Sequence, residues 1–133
     1  ETAVDWAFTA GITDRCPTLG DLTCPELAVT RDEMARFLWR FRSLPLATVS
    51  AVFDDVPADA TYGPAVDWLA ETGITKGCTT TTYCPAGTVT RAEMAAFLWR
   101  LEGSPEGSTP ANFSDVFADS FADPAINWLL ASG

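Results

Sequence analysis

Two stretches of the chain place apolar residues along a single helical face. Met34, Phe37, Leu38 and Phe41 fall at i, i+3, i+4 and i+7, and Met94, Phe97, Leu98 and Leu101 repeat the pattern sixty residues later. That spacing predicts two strongly amphipathic helices whose apolar stripes meet in the core. Trp39 and Trp99 lie about 100° further round each helix, which places them at a boundary between helices. A second, shorter kind of helix is predicted by Val66, Leu69 and Ala70 and by Ile126, Leu129 and Leu130. These helices open at Pro64 and Pro124, where the missing N–H costs nothing, and they stop at Gly11, Gly73 and Gly133. Helices this short depend on partners for stability. The proline- and glycine-bearing stretches LPLATV at 44–49 and GSPEGSTP at 103–110 read as connectors.

The two patterns belong to one repeat. AVDW at 3–6 returns at 65–68 and as AINW at 125–128, and GIT at 11–13 returns at 73–75. Cys16 matches Cys78, Cys24-Pro25 matches Cys84-Pro85, and VTR at 29–31 matches VTR at 89–91. FDDVPAD at 53–59 answers FSDVFAD at 113–119. Residues 51–103 form a complete unit, 1–44 the back of an earlier one and 112–133 the front of a later one, with linkers at 45–50 and 104–111. Units divided in this way are expected of a piece of a larger assembly. The fold class expected is mostly α, built of tandem helix–loop–helix repeats.

Composition narrows the chemistry. The 133 residues include 18 acids and 8 bases, for a net charge of −10. That argues against a nucleic-acid surface, which needs a cationic patch. Seven of the eight bases are arginine, Lys76 is the single lysine, and there is no histidine. The commonest general base and the commonest metal ligand are therefore both missing. No apolar run approaches a membrane span in length. Neither a nucleophile elbow nor a phosphate loop occurs, and the chain is read as non-catalytic with no cofactor. Calcium at Asp55 and Asp59, or at Asp115 and Asp119, would have two carboxylates where about six oxygen ligands are needed.

Cys16 and Cys24 bracket one inter-helix loop, and Cys78 and Cys84 bracket its counterpart. Two local disulfides and an oxidising compartment are the expectation. A zinc site shared by the four thiols is the rival, against which the spacings and the division between units both count.

The second helix of each unit opens with a repeated signal. Thr30 with Glu33, and Thr90 with Glu93, form capping boxes in which hydroxyl and carboxylate serve each other's backbone amides. Arg31 and Arg91 then fall at the first helical position, where a cation opposes the macrodipole at a cost of about 0.3–1 kcal/mol. One compensation is an internal carboxylate such as Asp55 or Asp59. The other is a ligand carboxylate or phosphate meeting the guanidinium beside free helix amides.

The ordered set F-x-D-V, A-[VI]-x-W-L, G-I-T, C-P and V-T-R-x-E-M-A-x-F-L resembles the S-layer homology repeat, in the cysteine-bearing variant of high-GC Gram-positive bacteria. The resemblance implies a trefoil-like helical bundle. It also implies an extracellular module anchored at the cell wall through a peptidoglycan-linked acidic polysaccharide, often pyruvylated. In the family the arginine of the T-R motif faces the ligand, which maps onto Arg31 and Arg91. An aromatic residue and the glycine turn contribute, mapping by motif position onto Trp6, Trp68 and Trp128 and onto Gly73, Lys76 and Gly77. The tryptophans also fit simple helix packing. Asp14 replaces the lysine in the first unit, and TRDE replaces TRAE. The alternative is a structural or self-assembly module packing on other copies or on the rest of its parent protein, without glycan binding.

Overall fold

The computed structural model describes residues 2–13, 24, 26–106, 110 and 113–133. Among these residues five helices follow in order: α1 (Ala3–Thr9), α2 (Arg31–Phe41), α3 (Gly63–Glu71), α4 (Arg91–Leu101) and α5 (Asp123–Ser132). The described residues form no extended sheet, and the protein is mostly helical. An isolated antiparallel bridge joins Thr30 to Thr88, just ahead of the two T-R helices. None of the helices among the described residues is long and apolar enough to cross a membrane.

Helix ends follow the local chemistry. Gly11 and Gly73 take φ values of +69° and +73° just past α1 and α3, closing each helix in the left-handed conformation. Pro64 and Pro124 stand second in their helices, one position later than expected, because Gly63 and Asp123 already adopt helical geometry. At α4, the Thr90 amide donates to Glu93 Oε2 at 2.8 Å, and the Glu93 amide donates back to Thr90 Oγ1 at 3.2 Å. At α2, the Thr30 amide donates to Glu33 Oε2 at 2.9 Å. A further capping box, Thr2 with Asp5, opens α1.

The packing runs across the sequence repeats. α2, the last helix of the first unit, packs on α3 of the second, and α4 packs on α5 of the third. The main core gathers Met34, Ala35 and Leu38 from α2 with Ala65, Val66, Trp68 and Leu69 from α3. Phe53, Val56, Ile74, Tyr83 and Phe97 complete it. A smaller cluster joins Ala95 and Ala96 to Ala125, with Trp99, Ile126 and Leu129 at its edge.

This arrangement alters three expected stripes, and in α2 Phe41 is half-exposed rather than core-facing. α4 lies between both clusters, so Ala95, Ala96 and Phe97 are its buried residues while Met94, Leu98 and Leu101 are only partly covered. In α5 Leu130 is exposed rather than core-facing, and Ala125 and Asn127 are buried instead. Trp39 and Trp99 do sit at boundaries: each indole N–H donates to a connector carbonyl, Pro45 O at 2.7 Å and Pro105 O at 2.9 Å. The connector after α2 is tied down again at Thr48, whose amide and hydroxyl both donate to the Glu71 carboxylate. Those bonds, the hydroxyl's first, hold Glu71 below the usual carboxylate range.

A disulfide joins Cys78 to Cys84 with Cα atoms 6.0 Å apart. Cys24 is also disulfide-bonded, and its expected partner Cys16 lies outside the described residues. The Asp55 carboxylate accepts the Tyr83 and Cys84 amides, both at 2.7 Å, fixing the far end of the Cys78–Cys84 loop. Asp55 is thus a loop anchor, and no metal-binding cluster of acids occurs among the described residues.

Candidate functional site

Arg31 is 5% exposed although it stands in the first turn of a helix. Its Nε donates to Tyr83 O at 2.7 Å, and its Nη1 pairs with Glu93 Oε1 at 2.9 Å. The guanidinium carbon lies 4.9 Å from the Tyr83 ring centroid and 5.6 Å from that of Phe97, within cation–π range of both. In return the Tyr83 hydroxyl donates to the Arg31 carbonyl at 2.7 Å. Burial pushes the Tyr83 phenol well above its ordinary pKa, so it stays protonated and able to donate.

The first amides of α2 are also taken. Arg31 N donates to Gly87 O at 2.8 Å and Asp32 N to Pro85 O at 3.0 Å. The second unit's loop therefore caps the first unit's helix, in place of the free amides expected there. The carboxylate that answers Arg31 is likewise Glu93, rather than Asp55 or Asp59. Glu93 does two jobs at once: Oε2 accepts the Thr90 amide at its own helix start, and Oε1 accepts from Arg31.

Beside this joint opens a groove of about 310 Å³. Arg31 contributes from α2, the turn Thr75-Lys76-Gly77-Cys78 from the second unit, Glu93, Ala96, Phe97 and Arg100 from α4, and Phe121 from the third unit. Three cations and one carboxylate thus face a single space. Arg31 Nη2 has no hydrogen-bond partner among the described residues. Arg100 is held by Nη1 donating to Ile74 O at 3.1 Å. Burial lowers its pKa, but a guanidinium remains charged at neutral pH. Lys76 is exposed at the rim.

Gly77 shapes that turn. It takes φ +78°, and a Cβ there would run into the carbonyl oxygens of Thr79 and Thr82 and lie 2.7 Å from the Phe53 ring. The buried Thr75 hydroxyl accepts the Gly77 amide at 3.2 Å, setting the turn from the other side.

The groove thus brings together Arg31, Lys76 and Gly77 from among the expected ligand residues. The others stand elsewhere. Gly73 terminates α3 with open space around it, and Arg91 is exposed at the start of α4. Trp68 is a core residue at 8% exposure and has little ring face left for a sugar. Trp6 is half-exposed on α1, Trp128 is partly buried on α5, and neither lines the groove. Asp14 lies outside the described residues. Arg100 and Phe121 were not expected. The repeated Trp-Arg pair at 39–40 and 99–100 was a usable signal for the first, since Arg40 Nη1 makes a longer version of the same contact, 3.5 Å to Ile12 O. Phe121, which stands where the second unit has Thr61, had no signal in the repeat pattern.

Residues 52–95, about a third of the chain, match the family model of the S-layer homology domain. The chain carries an S-layer homology domain. The matched segment holds the F-x-D-V start, α3, the glycine turn, the disulfide loop and the T-R helix through Ala95. No curated protein matches the chain. Domains of this family are binding modules rather than catalysts, and the match identifies a cell-wall anchoring module in general terms, associated with the cell surface. The matched segment lines the groove with Lys76, Gly77 and Glu93, beside Arg31 and Phe121 from the neighbouring units.

Proposed function

We propose that this chain anchors its protein by holding an acidic, peptidoglycan-linked wall polysaccharide in the groove between Arg31, Lys76 and Arg100. The convergence of three cations on one space of about 310 Å³, in a chain of net charge −10, carries the reading. Cations gathered there against the overall charge suit an anionic ligand, and the open Nη2 of Arg31 offers it a charge-assisted hydrogen bond. A sugar carboxylate, such as that of a pyruvate ketal, has the right charge and size. Phe121, exposed at the groove, supplies apolar surface for a sugar ring face. The binding is non-catalytic.

Purified sacculi retaining their accessory polymer test this directly by sedimentation. The wild-type chain should sediment with them, Lys76→Ala should bind more weakly while keeping its circular dichroism spectrum, and stripping the acidic polymer should abolish binding. Wild-type protein that ignores native sacculi under all conditions would overturn the reading.

The alternative is a packing module that associates with further copies without glycan. Its support is the apolar surface of the third unit, where Phe113, Phe117 and Phe121 are 47%, 79% and 60% exposed. Light scattering over a concentration series separates the two, since polymer-independent assembly belongs to this reading alone.

A further inference from the structure

We infer that Glu93 is an internal competitor for the groove's anionic ligand, holding its affinity below what the three cations would otherwise give. This rests on the anion-binding reading above. Glu93 Oε1 lies 2.9 Å from Arg31 Nη1, so one of the two terminal nitrogens is already answered by a carboxylate. The same side chain lines the groove with Arg31, Lys76 and Arg100, and is 29% exposed. An incoming carboxylate therefore finds Nη2 open but Nη1 shared with Glu93, and sits within a few ångströms of a like charge. To engage both terminal nitrogens in the fork geometry, it must compete with Glu93 for Nη1.

The helix cap makes this testable without dismantling the fold. Glutamine serves a capping box as glutamate does, because its side-chain oxygen still accepts the Thr90 amide. Glu93→Gln thus keeps the bond now made to Oε2 at 2.8 Å and removes the charge. One like charge removed at about 5 Å, with screening between that of water and of a protein surface, corresponds to roughly fivefold or more in affinity.

The experiment titrates wild-type and Glu93→Gln protein against sacculi bearing the acidic polymer and against stripped sacculi, with circular dichroism and melting curves for each. Glu93→Gln should bind native sacculi about fivefold or more tightly than wild type, with no gain on stripped sacculi. Equal or weaker binding by a folded Glu93→Gln protein would show that Glu93 only positions Arg31, and would sink the inference. Glu93→Ala, which loses the return bond of the cap but leaves the Thr90 hydroxyl in place, carries the same comparison if glutamine disturbs folding. Failure of wild type itself to bind native sacculi overturns the anion-binding reading rather than the role of Glu93 within it.

Discussion

The same substitution made at two equivalent positions isolates what the joint between repeats contributes. Arg31 and Arg91 both occupy the first position of a T-R helix, behind the same threonine cap. Arg31 is buried against the next unit's loop, whereas the Arg91 side chain is exposed and has no hydrogen-bond partner among the described residues. Lysine keeps the charge but has no Nε–H and no planar fork. In Arg31→Lys the Tyr83 carbonyl, on a residue at 0% exposure, loses its charged donor, worth about 1.5–3 kcal/mol. The partly exposed pairing with Glu93 adds about 0.5–1 kcal/mol at most. Arg31→Lys should therefore destabilise the protein by about 2–4 kcal/mol, and Arg91→Lys by less than about 0.5 kcal/mol. Urea unfolding of the oxidised proteins, with unchanged slopes, measures both as shifts of midpoint. Equal midpoints for the two variants would refute the claim that Arg31 is a structural tie between units.

Two further outcomes follow from the turn and its loop. Gly77→Ala should unfold at a markedly lower temperature than Gly73→Ala: both pay about 1–2 kcal/mol for a left-handed Cβ, but only Gly77 adds a collision with two carbonyls and the Phe53 ring. Parallel melting curves check this, and matching melting temperatures would count against it. Replacing Cys78 and Cys84 together by alanine should cost about 2–2.5 kcal/mol, from the short loop they close. A loss below about 0.5 kcal/mol in denaturant titrations would mean that the Asp55 carboxylate holds the loop unaided.

What could be read in advance divides along local and non-local lines. Helix type, the capping boxes at Thr30 and Thr90, the glycine stops and the Cys78–Cys84 pairing depend on residues within about one turn or one loop of each other. All of these show in a one-dimensional pattern. The partner of Arg31 does not, because Tyr83 and Glu93 are 52 and 62 residues away. Trp68 was ambiguous for a related reason: an aromatic on a short helix serves packing or a sugar face equally well by spacing alone, and α2 packing on α3 decides it. In α4 a single apolar stripe was the wrong template, since a helix covered from two sides fills its second face with alanine rather than with large residues.

The positively charged first position of the T-R helix is then explained by the neighbouring repeat rather than by its own. Helix electrostatics disfavours a cation there by about 0.3–1 kcal/mol, yet the Arg31 side chain turns away from its own helix end toward Tyr83 and Glu93 of the next unit. The amides at that helix end are met by the Gly87 and Pro85 carbonyls of that same unit. Arginine, loop and helix cap thus form one contact across the repeat boundary, and the groove is a by-product of it: the turn at Lys76 and Gly77 comes from one repeat and the guanidinium from the repeat before. A single isolated repeat has the turn without its preceding arginine and the arginine without its following turn. Groove number should accordingly follow the number of junctions at which a T-R helix meets the following unit's glycine turn, and stability and binding should be coupled through the same side chain.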